Sequence, residues 1–193
     1  LSRKNPDKGR AYFKKIMSKC SKLMQAIVNN PKPVIAEVSG VATAAGCQLV
    51  ASCDLAYASK SAKFATPGVN IGLFCSTPMV AVSRNISNKH TMEMLLSGEF
   101  VSSEKAEKIG LVNKSIDDSS LKKQTLEMAL KISKKSAMTL KIGKEAFYKQ
   151  IDMTLSDAYD YASKVMVDNM LKLDAEEGIG AFIEKRKPKW QDK

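Results

Sequence analysis

Apolar residues recur with a helical period near the start of the chain. Between residues 10 and 28 they follow one another at intervals of one, three and four, which predicts an amphipathic helix that ends before Pro31. Residues 34–38 are mostly apolar, largely β-branched and bounded by proline and glycine, so they predict a buried strand. Similar short runs predict strands at 55–58, 63–66 and near 111–116.

The remaining pattern is mostly helical. Small side chains at 41–46 separate the first predicted strand from a helix-competent run at 47–52, so the pattern predicts a strand, a tight turn and a short helix. Further helices are predicted near 78–86, 89–97, 103–109, 119–134, 137–151, 155–172 and 174–185. Strands that come early and helices that come late indicate an α/β core with an appended helical region. The apolar faces of the late helices must pack on that core or on another subunit, and the pattern allows both.

Charge and composition narrow the possible partners. The 193 residues have a net charge of +11, yet only 6% of them are aromatic. The basic excess lies toward the two ends, and residues 31–100 are nearly neutral. A nucleic-acid binder usually concentrates basic and aromatic residues on one face, so nucleic acid is not the expected partner, whereas a phosphate-bearing small molecule remains possible. No run approaches the roughly 20 apolar residues of a membrane helix.

The cysteines do not form a metal-binding or disulfide pattern. Cys20, Cys47, Cys53 and Cys75 contain no CxxC pair, and each has apolar residues within three positions along the chain. We therefore expect reduced, buried cysteines, and neither a metal site nor a disulfide frame.

The segment VIAEVSGVATAAGCQLVASCD, residues 34–54, is the best candidate for chemistry. A strand leads into a helix through Gly, Ala and Thr, whose small side chains let a ligand approach the backbone. The unpaired N–H groups of the first helical turn can hold a carboxylate, a phosphate or an oxyanion. The same small residues also allow close packing of helix on strand, so the pattern alone leaves both interpretations open.

Longer stretches of the chain resemble the enoyl-CoA hydratase/isomerase family, also called the crotonase family. The resemblance rests on KPVIAEVSGVATAAGCQLVASCDLAYAS, KFATPGVNIGL and LLSGEFVSSEKAEKIGLVNK, and it extends to EEGIGAFIEKRKPKW near the end. It implies a crotonase-like core, a spiral of ββα repeats, that lacks its N-terminal part. We expect this truncated core at 1–118 and a helical trimerisation region at 119–193.

The resemblance also implies a ligand and a site. The ligand is a fatty acyl-CoA thioester, with coenzyme A as part of the substrate and no other cofactor. The Ala45 N–H falls on a position that polarises the thioester carbonyl, with Gly46 beside it. Thr66, Gly68 and Cys75 are expected to line the acyl pocket. A contact between the coenzyme A nucleotide and the basic end is implied for Phe182, Lys185 and Lys189.

Two positions depart from the family's hydratases. Those enzymes hold a water between two glutamates, and here the corresponding residues are Gln48 and Gly68. Gln48 can position a water but does not titrate, and Gly68 has no side chain, so efficient hydration is not expected. The alternatives are another crotonase chemistry, such as thioester hydrolysis or enolate-based isomerisation, and a non-catalytic regulatory binder. The resemblance further implies a homotrimer or homohexamer and a mitochondrial location.

Overall fold

The computed structural model describes residues 4–193, and these divide into two compact units. The first unit contains the residues up to Val28 together with Val34–Thr125, and the second contains Asn29–Pro33 and Leu126–Lys193.

The first unit contains both sheets. Its strands are β1 (Ile35–Val38), β2 (Val41–Thr43), β3 (Leu55–Ser59), β4 (Lys63–Ala65), β5 (Val101–Ser102) and β6 (Lys114–Ile116). Its helices are α1 (Arg10–Val28), α2 (Ala45–Ser52), α3 (Pro78–Val82), α4 (Asn88–Ser97) and α5 (Ser103–Ile109). Helix α6 (Leu121–Ser133) begins in this unit and continues into the second.

Strands and helices alternate as the predicted ββα repeat requires. β1 and β2 precede α2, and β3 and β4 precede a 3-10 turn (Pro67–Ile71) and α3. The first sheet has the order β1-β3-β6 and is parallel throughout, while in the second β2 pairs with β4 in parallel and β4 with β5 antiparallel. The first strands of successive repeats therefore build one sheet and the second strands build the other. This arrangement confirms the crotonase-like fold class.

Two strands were not predicted. Residues 41–43 were expected to belong to a tight turn but form β2, and residues 101–102 form β5. Both strands have at most three residues, too few for a local pattern, and they exist because β4 offers hydrogen-bond partners on both of its edges. Helix α2 also begins at Ala45, two residues before the predicted start.

In the core of the first unit, α2 packs against the second sheet. Phe64 on β4, Cys47 on α2 and Val82 on α3 are completely excluded from solvent and belong to one apolar cluster. Cys47, Cys53 and Cys75 are buried as predicted, whereas Cys20 is only half-buried. Asp54 follows α2 and accepts a hydrogen bond from the Val34 N–H at 2.6 Å, which ties the start of β3 to the start of β1.

The second unit contains three further helices, α7 (Ala137–Gln150), α8 (Leu155–Met170) and α9 (Leu173–Ile183). Its helices bury few side chains: within α7 and α8 no residue is buried, and within α9 only Asp174 and Ala181 are. Large apolar side chains remain exposed instead, namely Leu155, Tyr159, Met166, Val167, Met170, Leu171, Leu173, Ile179, Phe182 and Ile183. Across residues 4–193, the structure contains no helix that combines the length and hydropathy of a membrane span.

The C-terminal tail folds back on α9. Glu177 accepts hydrogen bonds from Arg186 Nη1 at 2.6 Å and from the Lys189 N–H at 2.7 Å. Asp174 accepts from the N–H groups of Gln191 and Asp192. The chain's single tryptophan, Trp190, donates from Nε1 to the Lys134 carbonyl at 2.8 Å. The tail is therefore fixed by hydrogen bonds to α9 and to the end of α6.

The anchoring of this tail should depend on pH. The Arg186 guanidinium, together with the Lys189 N–H, lowers the pKa of Glu177 from 4.5 to about 2. Since the folded pKa lies below the unfolded one, this stabilisation is present above pH 4.5 and is lost as the pH falls toward 2. We expect the fluorescence emission of Trp190 to change as the tail is released between pH 4.5 and about 2.

The variant Arg186→Gln should move the Trp190 transition to higher pH, because Glu177 then protonates more readily. Lys187→Gln removes a charge from the same tail without touching Glu177 and is the matched control. A transition that Arg186→Gln leaves unmoved would contradict the assignment to Glu177.

Candidate functional site

The start of helix α2 has an unusual backbone. Ala44 joins β2 to α2 with φ 47° and ψ −113°, a conformation that alanine rarely adopts and that costs about 1–3 kcal/mol. Its N–H donates to the Ala65 carbonyl at 3.0 Å, next to the paired residues Thr43 and Ala65 of β2 and β4. The sheet therefore holds Ala44 in this conformation.

Two backbone donors at this turn are available to a ligand. The Gln48 N–H makes the first hydrogen bond of the helix, to the Ala44 carbonyl at 3.0 Å. Among the described residues no acceptor pairs with the N–H of Ala45 or Gly46, and both residues are exposed. A Cβ built on Gly46 would meet no atom within 4 Å, so open space lies beside it. Adjacent unpaired donors at a helix N-terminus suit an oxyanion.

Gln48 lies on the same helix but is buried. Its Oε1 accepts a hydrogen bond from Cys20 Sγ at 3.6 Å, and its carbonyl accepts from the Ser52 hydroxyl at 2.8 Å. Cys20 belongs to α1, so the contact joins two helices. The sequence did not predict the contact between Cys20 and Gln48, because no local sequence pattern relates two residues 28 positions apart.

The loop after β4 contains the other three residues predicted for the pocket. Thr66 is fully buried, and its Oγ1 has no hydrogen-bond partner among the residues that the structure describes. Gly68 is buried in the 3-10 turn, where its N–H donates to Cys75 Sγ at 3.3 Å. Thr66 therefore exposes no surface to a ligand, while Gly68 and Cys75 pack directly on each other.

The space beside Gly68 is closed. A Cβ at this position would lie 2.9 Å from the Leu73 carbonyl oxygen and 2.9 Å from Cys75 Sγ. Gly68 does not have a positive φ, so its backbone conformation does not require glycine. Glycine is favoured here because the neighbouring atoms leave little space for a Cβ. A side chain at position 68 would therefore have to displace the Leu73 backbone or the Cys75 side chain.

The electrostatics around α2 do not favour a thiolate at Cys47. Burial, with a smaller contribution from Cys75, raises the pKa of the Cys47 thiol from 9.0 to about 12. Cys47 therefore stays protonated near neutral pH and acts as a small apolar residue of the core.

The basic residues predicted to contact the nucleotide belong to the second unit. Phe182 lies on α9 and is 84% exposed, while Lys185 and Lys189 lie in the anchored tail and are also exposed. Lys185 has φ 56°, and the Lys189 N–H is used by Glu177. Arg186, in contrast, already forms ion pairs with Glu177 and Glu184.

The ββα fold and the open turn at Ala45 define the class of protein. Residues 6–193 match the family described as Enoyl-CoA hydratase/isomerase, and the chain belongs to that family. It is 50% identical over 182 residues to Enoyl-CoA hydratase domain-containing protein 3, mitochondrial, of Mus musculus, a match that covers 94% of this chain and 61% of that protein. The chain thus spans less than two thirds of the length of this relative.

Solved structures show the same likeness. The crystal structure of human enoyl Coenzyme A hydratase domain-containing protein 3 superposes with a TM-score of 0.94 at 48% identity, covering 98% of this chain and 75% of that one. The structure of an enoyl-CoA hydratase from Mycobacterium smegmatis gives a TM-score of 0.92 at 48% identity, and the match covers 94% of this chain and 70% of that one. The resemblance inferred from the sequence motifs is confirmed.

Gly68 and Gly46 should respond oppositely to alanine. Gly68→Ala places a methyl group against the backbone oxygen of Leu73, and overpacking of this kind typically costs about 1–3 kcal/mol of unfolding free energy. Gly46→Ala enters open space within a helix and should be neutral or stabilising by up to about 1 kcal/mol. Urea denaturation of both variants checks this, and equal stability would show that the Gly68 loop is not tightly packed.

Proposed function

We propose that the chain binds acyl-CoA thioesters through the start of helix α2. The observation that carries the proposal is the pair of exposed, unpartnered N–H groups of Ala45 and Gly46. Both N–H groups can donate hydrogen bonds to the thioester carbonyl oxygen, and the small side chains of Ala45 and Gly46 let that oxygen come within about 3 Å of the backbone. The Ala44 conformation fixes the donors before the ligand arrives, so little reorganisation accompanies binding.

The surroundings of the turn support binding rather than hydration. Water attack on an enoyl group and proton delivery each need a titrating group, and Gln48 and Gly68 supply neither. The crowded space beside Gly68 also disfavours a larger side chain at that position. We infer a protein of acyl-CoA or fatty acid metabolism that binds the thioester without hydrating it efficiently.

An enzyme of another crotonase chemistry is the second candidate. The same unpartnered donors would stabilise an enolate or the oxyanion formed during thioester hydrolysis, because charge develops on the carbonyl oxygen in both reactions. A turnover screen across acyl-CoA classes distinguishes this enzyme from a regulatory binder.

The basic tail is the proposed contact for the nucleotide end of coenzyme A. Lys185 and Lys189 are exposed cations, and Phe182 exposes an aromatic ring suited to stack on adenine. Arg186 is occupied by Glu177 and Glu184, so we assign phosphate contact to the two lysines.

The proposals on assembly and on location are supported by different observations. The exposed apolar faces of α8 and α9 support a homotrimer or homohexamer, since a monomer rarely leaves so many large apolar side chains in water. A mitochondrial location is proposed because the curated relative carries that word in its name.

Ala45 provides the direct test of the site. Ala45→Val places a branched side chain beside the donor, so acyl-CoA affinity should fall at least about tenfold while the fold persists, because Ala45 is exposed. Ala45→Gly keeps both the N–H and the space and is the matched control. Isothermal titration of butyryl-CoA measures both variants, and full affinity in a folded Ala45→Val protein would overturn the site.

Hydration should be negligible in the unmodified chain. Each missing acid–base group typically costs about 10²- to 10⁴-fold in rate, so loss of both leaves little activity on crotonyl-CoA. Loss of absorbance of the enoyl thioester measures this rate. Rapid hydration would mean that residues other than Gln48 and position 68 supply the acid and base.

A further inference from the structure

Helix α1 continues its apolar face beyond the part that packs on α2. Cys20, Met24 and Ile27 share one face of the helix, and Cys20 contacts α2. Met24 is buried and the other two are half-buried. Phe13 and Ile16 extend the same face toward the start of α1, and there both side chains are exposed. The N-terminal half of α1 therefore offers apolar surface to a partner.

The charges of α1 are all positive. The helix contains Arg10 and four lysines and has no acidic residue. Among residues 4–193, none of these cations forms an ion pair. Asp7, the one acidic residue between positions 1 and 30, accepts hydrogen bonds at 2.9 Å from the N–H groups of Gly9 and Ala11. Cations near the start of a helix oppose its dipole, so this charge does not stabilise α1 itself.

A strip of exposed cations runs along α1 beside a strip of exposed apolar side chains. The cations follow one another at intervals of four and three residues, and the apolar residues at four and seven, so each strip follows the helix axis. From the ordinary helical period, the centres of the two strips lie about 70° apart around the helix. We call the two strips together the α1 surface, which consists of Lys15, Lys19, Lys22, Tyr12, Ile16 and Leu23.

This combination of charge and apolar surface matches an anionic bilayer. Such a bilayer presents phosphate groups to the lysines and, just below them, an apolar region to the tyrosine, isoleucine and leucine side chains. A second copy of the chain would instead place its own lysines near those of the first, and like charges repel. The surface of a bilayer is thus a partner that satisfies both strips.

We infer that the α1 surface binds membranes that contain anionic phospholipids. The helix lies along the membrane plane, with its lysines at the lipid phosphates and Tyr12, Ile16 and Leu23 at the boundary between headgroups and acyl chains. Because α1 carries cations along its length, it lies on the bilayer and does not span it. The inference does not depend on acyl-CoA binding at α2, so either can fail alone.

Co-sedimentation with vesicles tests the charge on α1. We expect the chain to bind vesicles of equal parts phosphatidylcholine and phosphatidylglycerol more tightly than phosphatidylcholine alone, and to be released as the salt concentration rises. Each basic residue near an anionic surface contributes about 1 kcal/mol, which is about fivefold in the partition coefficient. The triple variant Lys15→Gln, Lys19→Gln and Lys22→Gln should therefore bind at least about tenfold more weakly.

A matched control removes the same number of charges from other elements of the first unit. It replaces exposed lysines of β4, α5 and β6 and should keep most of the binding, because it lowers the net charge equally but leaves α1 intact. The control combines Lys63→Gln, Lys108→Gln and Lys114→Gln.

A second set of variants tests the apolar strip at constant charge. Tyr12→Ser with Ile16→Ser should weaken binding to the anionic vesicles at least about fivefold, because both side chains leave water when the helix docks. Met92→Ser with Leu96→Ser, at two exposed apolar positions of α4, is the control. Tyr12→Trp keeps an aromatic ring, and its emission should shift to shorter wavelength on anionic vesicles. Circular dichroism checks that each variant keeps its helices.

Several results would overturn the inference. They are absence of binding to the anionic vesicles, equal loss of binding in the two triple lysine variants, and Tyr12→Trp emission that the vesicles leave unchanged. Sedimentation velocity without lipid tests the other occupant. If Tyr12→Ser with Ile16→Ser breaks an oligomer there, the α1 surface is an interface between copies of the chain, and the membrane inference is wrong.

Discussion

The hydrogen bond from the Ala44 N–H to the Ala65 carbonyl ties the end of β2 to the end of β4 just before α2 begins. Ala44 has φ 47° there, a conformation that its surroundings must enforce at a cost of about 1–3 kcal/mol. Parallel pairing of the two strands holds one side, and the completely buried Cys47 holds the first turn of the helix on the other. The exposed N–H groups of Ala45 and Gly46 depend on this constraint.

A site made from backbone donors separates binding from proton transfer. The donors at the start of α2 require only small side chains and a fixed turn, whereas hydration also requires two titrating side chains. Here the turn is present, Gln48 cannot titrate, and the Leu73 carbonyl closes the space beside Gly68. Under the proposed function, the fold thus keeps the backbone donors that would polarise a thioester.

The sequence predicted those parts of the molecule that local patterns determine. Helix α1 and strand β1 follow from apolar periodicity and flanking prolines, and the small residues at 41–46 predicted a turn before α2, whereas Ala45 was singled out only through the family resemblance. β2 was missed because three residues form a strand only through their pairing with β4. The crowding at Gly68 depends on a loop that returns five to seven residues later, and the Cys20 contact spans 28 residues. Contacts between residues so far apart in the sequence leave no pattern that local sequence analysis can detect.

The central claim is that the Ala45 and Gly46 N–H groups hold a thioester carbonyl, and infrared spectroscopy of that carbonyl tests it most directly. Butyryl-CoA labelled with carbon-13 at the thioester carbon gives a band that difference spectra resolve from the protein. Hydrogen bonding to two backbone donors polarises the carbonyl, so the band should move to lower frequency on binding and return toward its free position in Ala45→Val. A bound ligand whose carbonyl band keeps the frequency it has in water would contradict the account.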